Sequence, residues 1–389
     1  MSGMGELTTA VAEKPFLVFG KPDIGEAEKA EVLEVLGSGW LSTGQKVAAF
    51  EEEFQRYMGR GHAVAVSSCT DGLILSLVAA KVRPGDEVIT TPLTFAATVN
   101  AILAVGAVPV FVDVTESGHI DPEQIEEVIT DRTAAILPVH YTGSACDMGA
   151  ILDVAKWDNL PIIEDAAHAF GGTYPKEKTR IGNLGDFACF SFYPTKNITC
   201  GEGGMVVVHD EAHAHSLRTM SRQGLSAGAH ARYSSGPILP YHVAVPGRKA
   251  NMSDLHAAVG LAQIRRWDEI KERRGIVWEI YETAFGKKEE GHSQHLFTIS
   301  SGLRDRLRDS LNRAGIGTGI HFRPLHLEPA YSFLRYREGD FPVAEGIGRK
   351  TLSLPVSPTM TADDARRVVS AVHDGFSQIL DAPQKQGEI

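Results

Sequence analysis

The sequence predicts an α/β protein built on a mostly parallel sheet covered by helices on both faces. Between Ala63 and Glu164 short apolar runs alternate with stretches of helical length. The runs are continuously apolar rather than alternating, which is the pattern of strands buried on both sides. With 389 residues, 43% of them hydrophobic and 22% charged, the chain can fill one large or two medium domains with sizeable cores.

Residues Met1 to Lys14 read as a flexible tail. Helical periodicity starts near Ile24, continues through Ala27, Val32, Leu33 and Leu36, and stops at Gly37-Ser38-Gly39. Trp40 to Gly44 is a turn of small residues with one aromatic, and Val47 to Met58 is a second amphipathic helix. Strands are expected at Ala63–Val66, Glu87–Thr90, Val108–Val112, Ala134–Val139 and Pro161–Glu164. Helices are expected at Asp71–Ala80, Ala96–Ala104, Pro122–Ile129 and Met148–Lys156. Two further apolar runs, Phe187–Phe190 and Met205–Val208, bracket a turn-rich segment. Leu225–Pro246 is rich in Gly, Ser, Pro and Tyr and has no period; a loop of that length points to function or disorder. Asp254–Arg274 reads as one long helix, and Ile276–Leu380 as a smaller domain of helices and short strands. The expected division is a tail over 1–14, a large domain over 15–253 and a small domain over 254–389.

Charge narrows the partners. Lys+Arg 38 against Asp+Glu 49 gives −11, which disfavours general nucleic-acid binding but leaves room for small anions at local basic groups and helix N-termini. Cys69, Cys146, Cys189 and Cys200 form no Cys-x-x-Cys pair, so neither a zinc knuckle nor a disulfide framework is suggested. Met1–Glu13 lacks a signal pattern, and no apolar run approaches membrane-spanning length. The expected setting is soluble and cytoplasmic, with no membrane and no nucleic acid.

Ligands of such sheets bind at the carboxyl ends of the strands. There, Ser67-Ser68-Cys69-Thr70-Asp71-Gly72 offers hydroxyls and backbone N–H groups at a helix N-terminus, either an anion site or a simple cap by Thr70 or Asp71. Phe95 could lie over a flat ligand or pack into the core. Glu164 and Asp165 end an apolar strand, and a buried acid at that point needs a cationic or N–H partner such as a protonated pyridine nitrogen. His168 projects into the same space; a metal would need ligands from elsewhere, and none is expected. Lys196, between the last two apolar runs, is either a solvated surface group or a desolvated amine with a lowered pKa, fit for nucleophilic work. Together these groups meet the requirements of pyridoxal 5′-phosphate.

The motifs Gly39-Trp40-Leu41-Ser42-Thr43-Gly44, Gly85-Asp86-Glu87-Val88-Ile89, Glu164-Asp165-Ala166-Ala167-His168-Ala169, Ser191–Gly204 and Asn251-Met252-Ser253-Asp254 carry a resemblance. Over about Phe16 to Phe376 the chain resembles the sugar aminotransferases of the DegT/DnrJ/EryC1/StrS family. The resemblance implies the aspartate-aminotransferase-like fold type I: a large domain with a mostly parallel seven-stranded sheet flanked by helices, plus a smaller C-terminal α/β domain. It implies pyridoxal 5′-phosphate, passing through pyridoxamine 5′-phosphate, as cofactor. Lys196 matches the lysine that binds the cofactor covalently, Asp165 the pyridinium partner, His168 the contact near the phenolic oxygen, and Phe95 the stacked aromatic. Thr70, Ser191 and the N–H of Asp71 match the phosphate contacts. Asn251 matches an asparagine that reaches the phosphate of the neighbouring subunit, which implies a homodimer; the alternative is an N-cap for the helix that begins near Ser253 or Asp254. Leu225–Pro246 matches a segment that crosses the dimer over the substrate. Trp40, His321 and Arg323 fall on the substrate side, the last two at a sugar nucleotide's diphosphate, with a surface position the alternative for Arg323.

The reaction implied is transfer of an amino group from L-glutamate, leaving 2-oxoglutarate, to a keto carbon of a nucleotide-diphosphate-linked keto-deoxy sugar. Gly315–Phe322 and Lys196–Cys200 resemble the branch that aminates C4; the C3-aminating branch is the alternative. A dehydrating relative would carry histidine in place of Lys196, and a non-catalytic regulator is the reading from another class. The chain departs from the family at Cys69, where Gly or Ala is usual, at Asp71, where Ala is usual, and in shortened stretches at Ala284–His292 and Ser300–Gly302.

Overall fold

A computed structural model of the chain describes residues 15–226 and 241–381. The expected tail over 1–14, and most of the expected substrate-covering loop Leu225–Pro246, lie outside them.

Helices α1 (Glu26–Ser38) and α2 (Gln45–Met58) lead into β1 (His62–Val66), α3 (Cys69–Ala79), β2 (Glu87–Thr90), α4 (Ala96–Ala104), β3 (Val108–Phe111), the short α5 (Pro122–Ile125), β4 (Thr133–Ile136), α6 (Met148–Asp158) and β5 (Ile163–Asp165). A two-stranded ribbon, β6 (Thr173–Tyr174) and β7 (Thr179–Arg180), precedes β8 (Phe187–Ser191), β9 (Gly204–Val208) and α7 (Glu211–Met220). Parallel ladders join β3 to β2, β2 to β4 and β5 to β8. Parallel bridges Ile136–Ile162 and Val139–Asp165 connect the β4 and β5 chains. Among the described residues this makes one seven-stranded sheet, in the order β1-β9-β8-β5-β4-β2-β3, in which β9 alone runs against its neighbours.

The continuous apolar runs have a direct explanation. Side chains of a strand alternate between faces. Ala63, Ala65, Ala188, Phe190, Met205 and Val207 enter one core, whereas Val64, Val66, Phe187, Cys189, Val206 and Val208 enter the other. Because β9 is antiparallel, the 192–203 connection starts at the carboxyl end of β8 and stays at that end of the sheet. Its return needs a glycine: a Cβ on Gly204 would stand 2.6 Å from Cys69 N and from Ser68 C, at the start of α3.

The expected single helix Asp254–Arg274 is two helices, α8 (Asp254–Arg265) and α9 (Trp267–Phe285). The break is at Arg266, φ −103° and ψ 20°, whose guanidinium is drawn to Asp23 and Glu28. Ser253, not Asn251, caps α8: its hydroxyl accepts from His256 N. Ala257, Leu261, Ile264, Trp267 and Ile270 lie in the large core, while Val277, Trp278 and Tyr281 lie in the core of the C-terminal part. We therefore propose that the domain division falls inside α9, not at 253/254. The C-terminal part contains β10 (Phe297–Ser300), α10 (Arg304–Arg313), α11 (Pro342–Lys350), β11 (Thr351–Leu354) and α12 (Ala362–Asp381), with β10 and β11 antiparallel. Leu17 joins it, donating to Gly315 O and accepting from Gly317 N at 2.8 Å each. Among the described residues no helix is long and apolar enough to cross a membrane.

Phe54 is the hub of the large core. It is fully buried, and its ring centroid lies 5.2 Å from Phe190, 5.5 Å from Phe170 and 5.8 Å from Phe192. Phe54→Ala should therefore cost about 3–5 kcal/mol, from lost burial plus the cavity left behind. Urea denaturation followed by fluorescence measures this; a loss under about 1 kcal/mol would mean that the cluster refills the space.

Candidate active site

The carboxyl ends of β1, β2, β5 and β8 open into a cavity of about 410 Å³. Thr70, Phe95, Asp165, His168, Ser191, Lys196 and His321 all line it.

Asp165 and Glu164 are adjacent on β5 and face opposite sides of the sheet. Asp165 turns to the cavity. Its Oδ2 accepts from Thr98 Oγ1 at 2.8 Å and its Oδ1 from Ala167 N at 3.1 Å, which fixes the carboxyl plane. Thr98 is paired in turn with Thr94 at 2.7 Å. Burial pushes the Asp165 pKa up, opposed by these bonds and by Lys196. Glu164 is satisfied on the far side by His140 at 2.7 Å, Tyr174 and Gly185 N at 2.5 Å. Cys146 N donates to His140 Nδ1 at 3.1 Å, so Nε2 carries the proton given to Glu164.

Lys196 sits in the 192–203 connection. Burial lowers its pKa to about 8, against a smaller upward pull from Cys69 and Asp165. Its Nζ has no hydrogen-bond or ion-pair partner among the described residues, and the same holds for Thr70 Oγ1. His168 lines the same cavity; its Nδ1 is sealed from solvent with no partner among the described residues. Burial and then the charge of Lys196 hold its pKa well below the usual histidine range. His321 is held by Ser353 Oγ at 2.7 Å, and burial lowers it to about 4.

The expected cap of α3 by Thr70 or Asp71 is not found. Ser68 caps the helix, accepting from Asp71 N at 3.1 Å. The Asp71 carboxylate accepts from Ser67 Oγ at 2.5 Å and pairs with Arg248 at 3.2 Å, so its charge is neutralised beside the helix N-terminus. Phe95 is no core residue: it is 61% exposed at the lip of the cavity, 6.1 Å from the ring of Phe322.

Four expected residues do not line this cavity, Asp71 among them, since its N–H is taken by Ser68 Oγ at 3.1 Å. Trp40 Nε1 donates to Thr43 O at 3.2 Å. Arg323 turns to Glu328 at 3.2 Å and to Leu327 O. Asn251 donates to Thr43 Oγ1 at 2.6 Å and accepts from Lys249 Nζ at 2.5 Å. The cavity also takes residues that the sequence did not signal: Phe19, Tyr193, Glu202, His295 and Phe322. Phe19 stacks on His321 at 5.5 Å, and Phe322 on His168 at 5.8 Å. Phe19 and His295 come from remote parts of the chain, with no local motif to mark them; Phe322 could have been suspected from its place beside His321.

A family model described as the DegT/DnrJ/EryC1/StrS aminotransferase family matches residues 22–373. The spore coat polysaccharide biosynthesis protein SpsC of Bacillus subtilis (strain 168) is 45% identical over 381 residues, 92% of this chain and 97% of its own. Among solved structures, DesV of S. venezuelae, in complex with a ketimine intermediate, is 35% identical with a TM-score of 0.84, covering 93% of this chain and 98% of its own. Spr1654 of Streptococcus pneumoniae in its PLP-form is 29% identical with a TM-score of 0.86, covering 94% and 99%, and it has also been solved in a PMP-form. With the sheet order, the cavity at the strand ends and these likenesses in agreement, the chain belongs to the DegT/DnrJ/EryC1/StrS aminotransferase family.

Proposed function

We propose that the protein is a pyridoxal-phosphate-dependent sugar aminotransferase. In this reading it moves an amino group from L-glutamate to C4 of a nucleotide-diphosphate-linked keto-deoxy sugar, and works as a cytoplasmic homodimer. The observation that carries the reading is the convergence of Lys196, Asp165, His168, Thr70, Ser191 and Phe95 on one cavity. The likeness of Gly315–Phe322 and Lys196–Cys200 to the C4 branch supports the position on the sugar.

These residues fit the cofactor. His168 Nδ1 is a buried polar atom in want of a partner, and the first turn of α3 with Thr70 and Ser191 offers N–H and hydroxyl groups suited to a phosphate. When bound, the cofactor supplies an electron sink for charge developing on the carbon that bears the amine.

The protein's part is positional and acid–base. Asp165, held by Thr98 and Ala167, presents a fixed carboxylate that keeps a ring nitrogen protonated. Lys196 holds the cofactor and, when released, carries a proton at Nζ. With a pKa of about 8, roughly a tenth of that amine is neutral at pH 7, against well under a thousandth at 10.5. An amine near neutrality can both take and give the proton. Phe95 and Phe322 cover the opening and limit water.

Purified protein loaded with pyridoxal phosphate, given glutamate and a panel of 4-keto and 3-keto nucleotide sugars, should produce a 4-amino sugar detectable by mass. Product only from the 3-keto arm would move the reading to C3, and product from neither arm would remove it. Lys196→Ala should lose at least ~10²–10⁴-fold in rate while keeping the fold; near-normal turnover would exclude Lys196 from the mechanism.

Asp165→Asn replaces a charge-assisted contact worth about 1.5–3 kcal/mol, so the rate should fall roughly 10- to 100-fold with the melting temperature little changed. A wild-type rate would show that another group protonates the ring.

Asn251 is bound to Thr43 and lies outside its own subunit's cavity. In the homodimer it reaches the partner's cofactor phosphate. Mixed Lys196→Ala and Asn251→Ala subunits then form heterodimers with one intact site and should regain activity. A mixture no better than its components would confine Asn251 to its own subunit.

A further inference from the structure

Asn197, next in sequence to Lys196, is 4% exposed. Its Nδ2 donates to Phe170 O at 2.8 Å and to Ser293 O at 2.7 Å. Both neighbours are carbonyls and can only accept, so the amide nitrogen must face them and Oδ1 must face the other way. Oδ1 meets His295 Nδ1 at 3.2 Å. An amide oxygen only accepts, so His295 Nδ1 carries a proton, and in a neutral ring Nε2 is then a bare acceptor. His295 lines the cavity, its ring 4.7 Å from that of His168.

The segment that carries His295 is fixed independently of the 192–203 connection. Ser293 N donates to Gly143 O at 2.8 Å, and Leu296 N to Thr142 O at 3.1 Å. Ser293 Oγ donates to His168 O at 2.7 Å. The buried Arg274 donates to Gln294 O at 2.7 Å and to His295 O at 3.1 Å. Gly143, at φ +105°, is required here: a Cβ would stand 1.9 Å from Ser293 Oγ. Residues 293–296 are thus a fixed rail, and the Asn197 contacts to Ser293 and His295 tie the reactive lysine's neighbour to it.

We propose that His295 is a positioning residue for Lys196, acting through its hydrogen bond to Asn197. The bond completes the polar satisfaction of Asn197 in a dry setting and keeps the lysine's loop seated. Without the imidazole N–H, Oδ1 of Asn197 is a buried acceptor with no donor, which draws in water and loosens the seat. Water around Lys196 favours the ammonium form, so its proton affinity rises. The groups that act on Lys196 from the surrounding elements are Cys69 from α3 and Asp165 from β5, while His168, His295 and His321 feel its charge in turn and have lowered pKa values. The inference rests on Lys196 being the reacting amine, as the proposed function has it.

The test reads the amine directly. Full-length protein freed of cofactor is labelled with a trace of acetic anhydride across pH 6–11, and modification of Lys196 is counted by mass. Wild type should titrate with a midpoint near 8. His295→Leu should move the midpoint up by about one pH unit or more, toward that of a solvated lysine. His295→Asn, which keeps an N–H donor at the Nδ1 position, should return it near the wild-type value, with kcat recovering in parallel. If the Leu variant does not fold, His295→Gln, whose amide falls at the Nε2 position, replaces it with the same expected rise. Midpoints unchanged in the Leu and Gln variants would overturn the proposal, as would an Asn variant titrating like Leu. Failure of the wild type to aminate any keto sugar would count against the proposed function, and the midpoints would still report on the positioning.

Discussion

In the proposed reaction Lys196 works as a neutral amine, which has to be kept dry, and much of the architecture around the site is consistent with that constraint. Burial alone accounts for the lowered proton affinity of Lys196, since its acidic neighbours, Cys69 and Asp165, pull the other way. Dryness obliges every other polar group there to be satisfied from within. Asp165 is held by Thr98 and a backbone N–H, Asn197 by two carbonyls and an imidazole, and His321 by Ser353. Among the described residues, Lys196 Nζ, Thr70 Oγ1 and His168 Nδ1 are left without a partner, and all belong to the cavity wall.

A second layer of contacts sets the rim. Asp254, buried at the start of α8, accepts from Gly44 N at 2.8 Å and from Val47 N at 3.0 Å. It thereby satisfies the N-terminus of α2 from more than two hundred residues away, where no side chain of its own caps that helix. Thr43 donates to Met252 O and accepts from Asn251 at the same junction. The Trp40–Gly44 turn and the Asn251–Asp254 turn therefore form one unit. Two motifs that look unrelated in the chain are two sides of a single contact.

The C-terminal part is bound to the sheet by buried polar contacts as well as by apolar packing. Helix α9 enters both cores, and Arg274 in its middle is fully buried, donating to Gln294, His295 and Val356 carbonyls. Burial lowers even this guanidinium to about 10. Three carbonyl acceptors without a carboxylate make an expensive arrangement that apolar packing could have replaced, and its effect is to hold residues 294–295 at the cavity wall.

The sequence by itself determined the sheet, its strand runs and the residue types gathered at the strand ends. Strands buried on both faces must be apolar throughout, and a lysine, an acid and a hydroxyl-rich turn beside them are local signals that survive folding unchanged. Asp165 could be told from any surface acid because it ended such a run, though only the strand's alternation separated it from Glu164. Tertiary structure alone decided what depends on distant partners. Ser68 rather than Thr70 or Asp71 caps α3, because Asp71 is taken by Ser67 and Arg248. The helix expected to run unbroken from Asp254 to Arg274 stops at Arg266, where Asp23 and Glu28 claim the guanidinium. Phe19 and His295 reach the cavity from remote parts of the chain. Periodicity and propensity report a residue's own backbone; they carry no record of which remote carbonyl, carboxylate or ring it will meet, and that meeting fixes both the cap and the pocket.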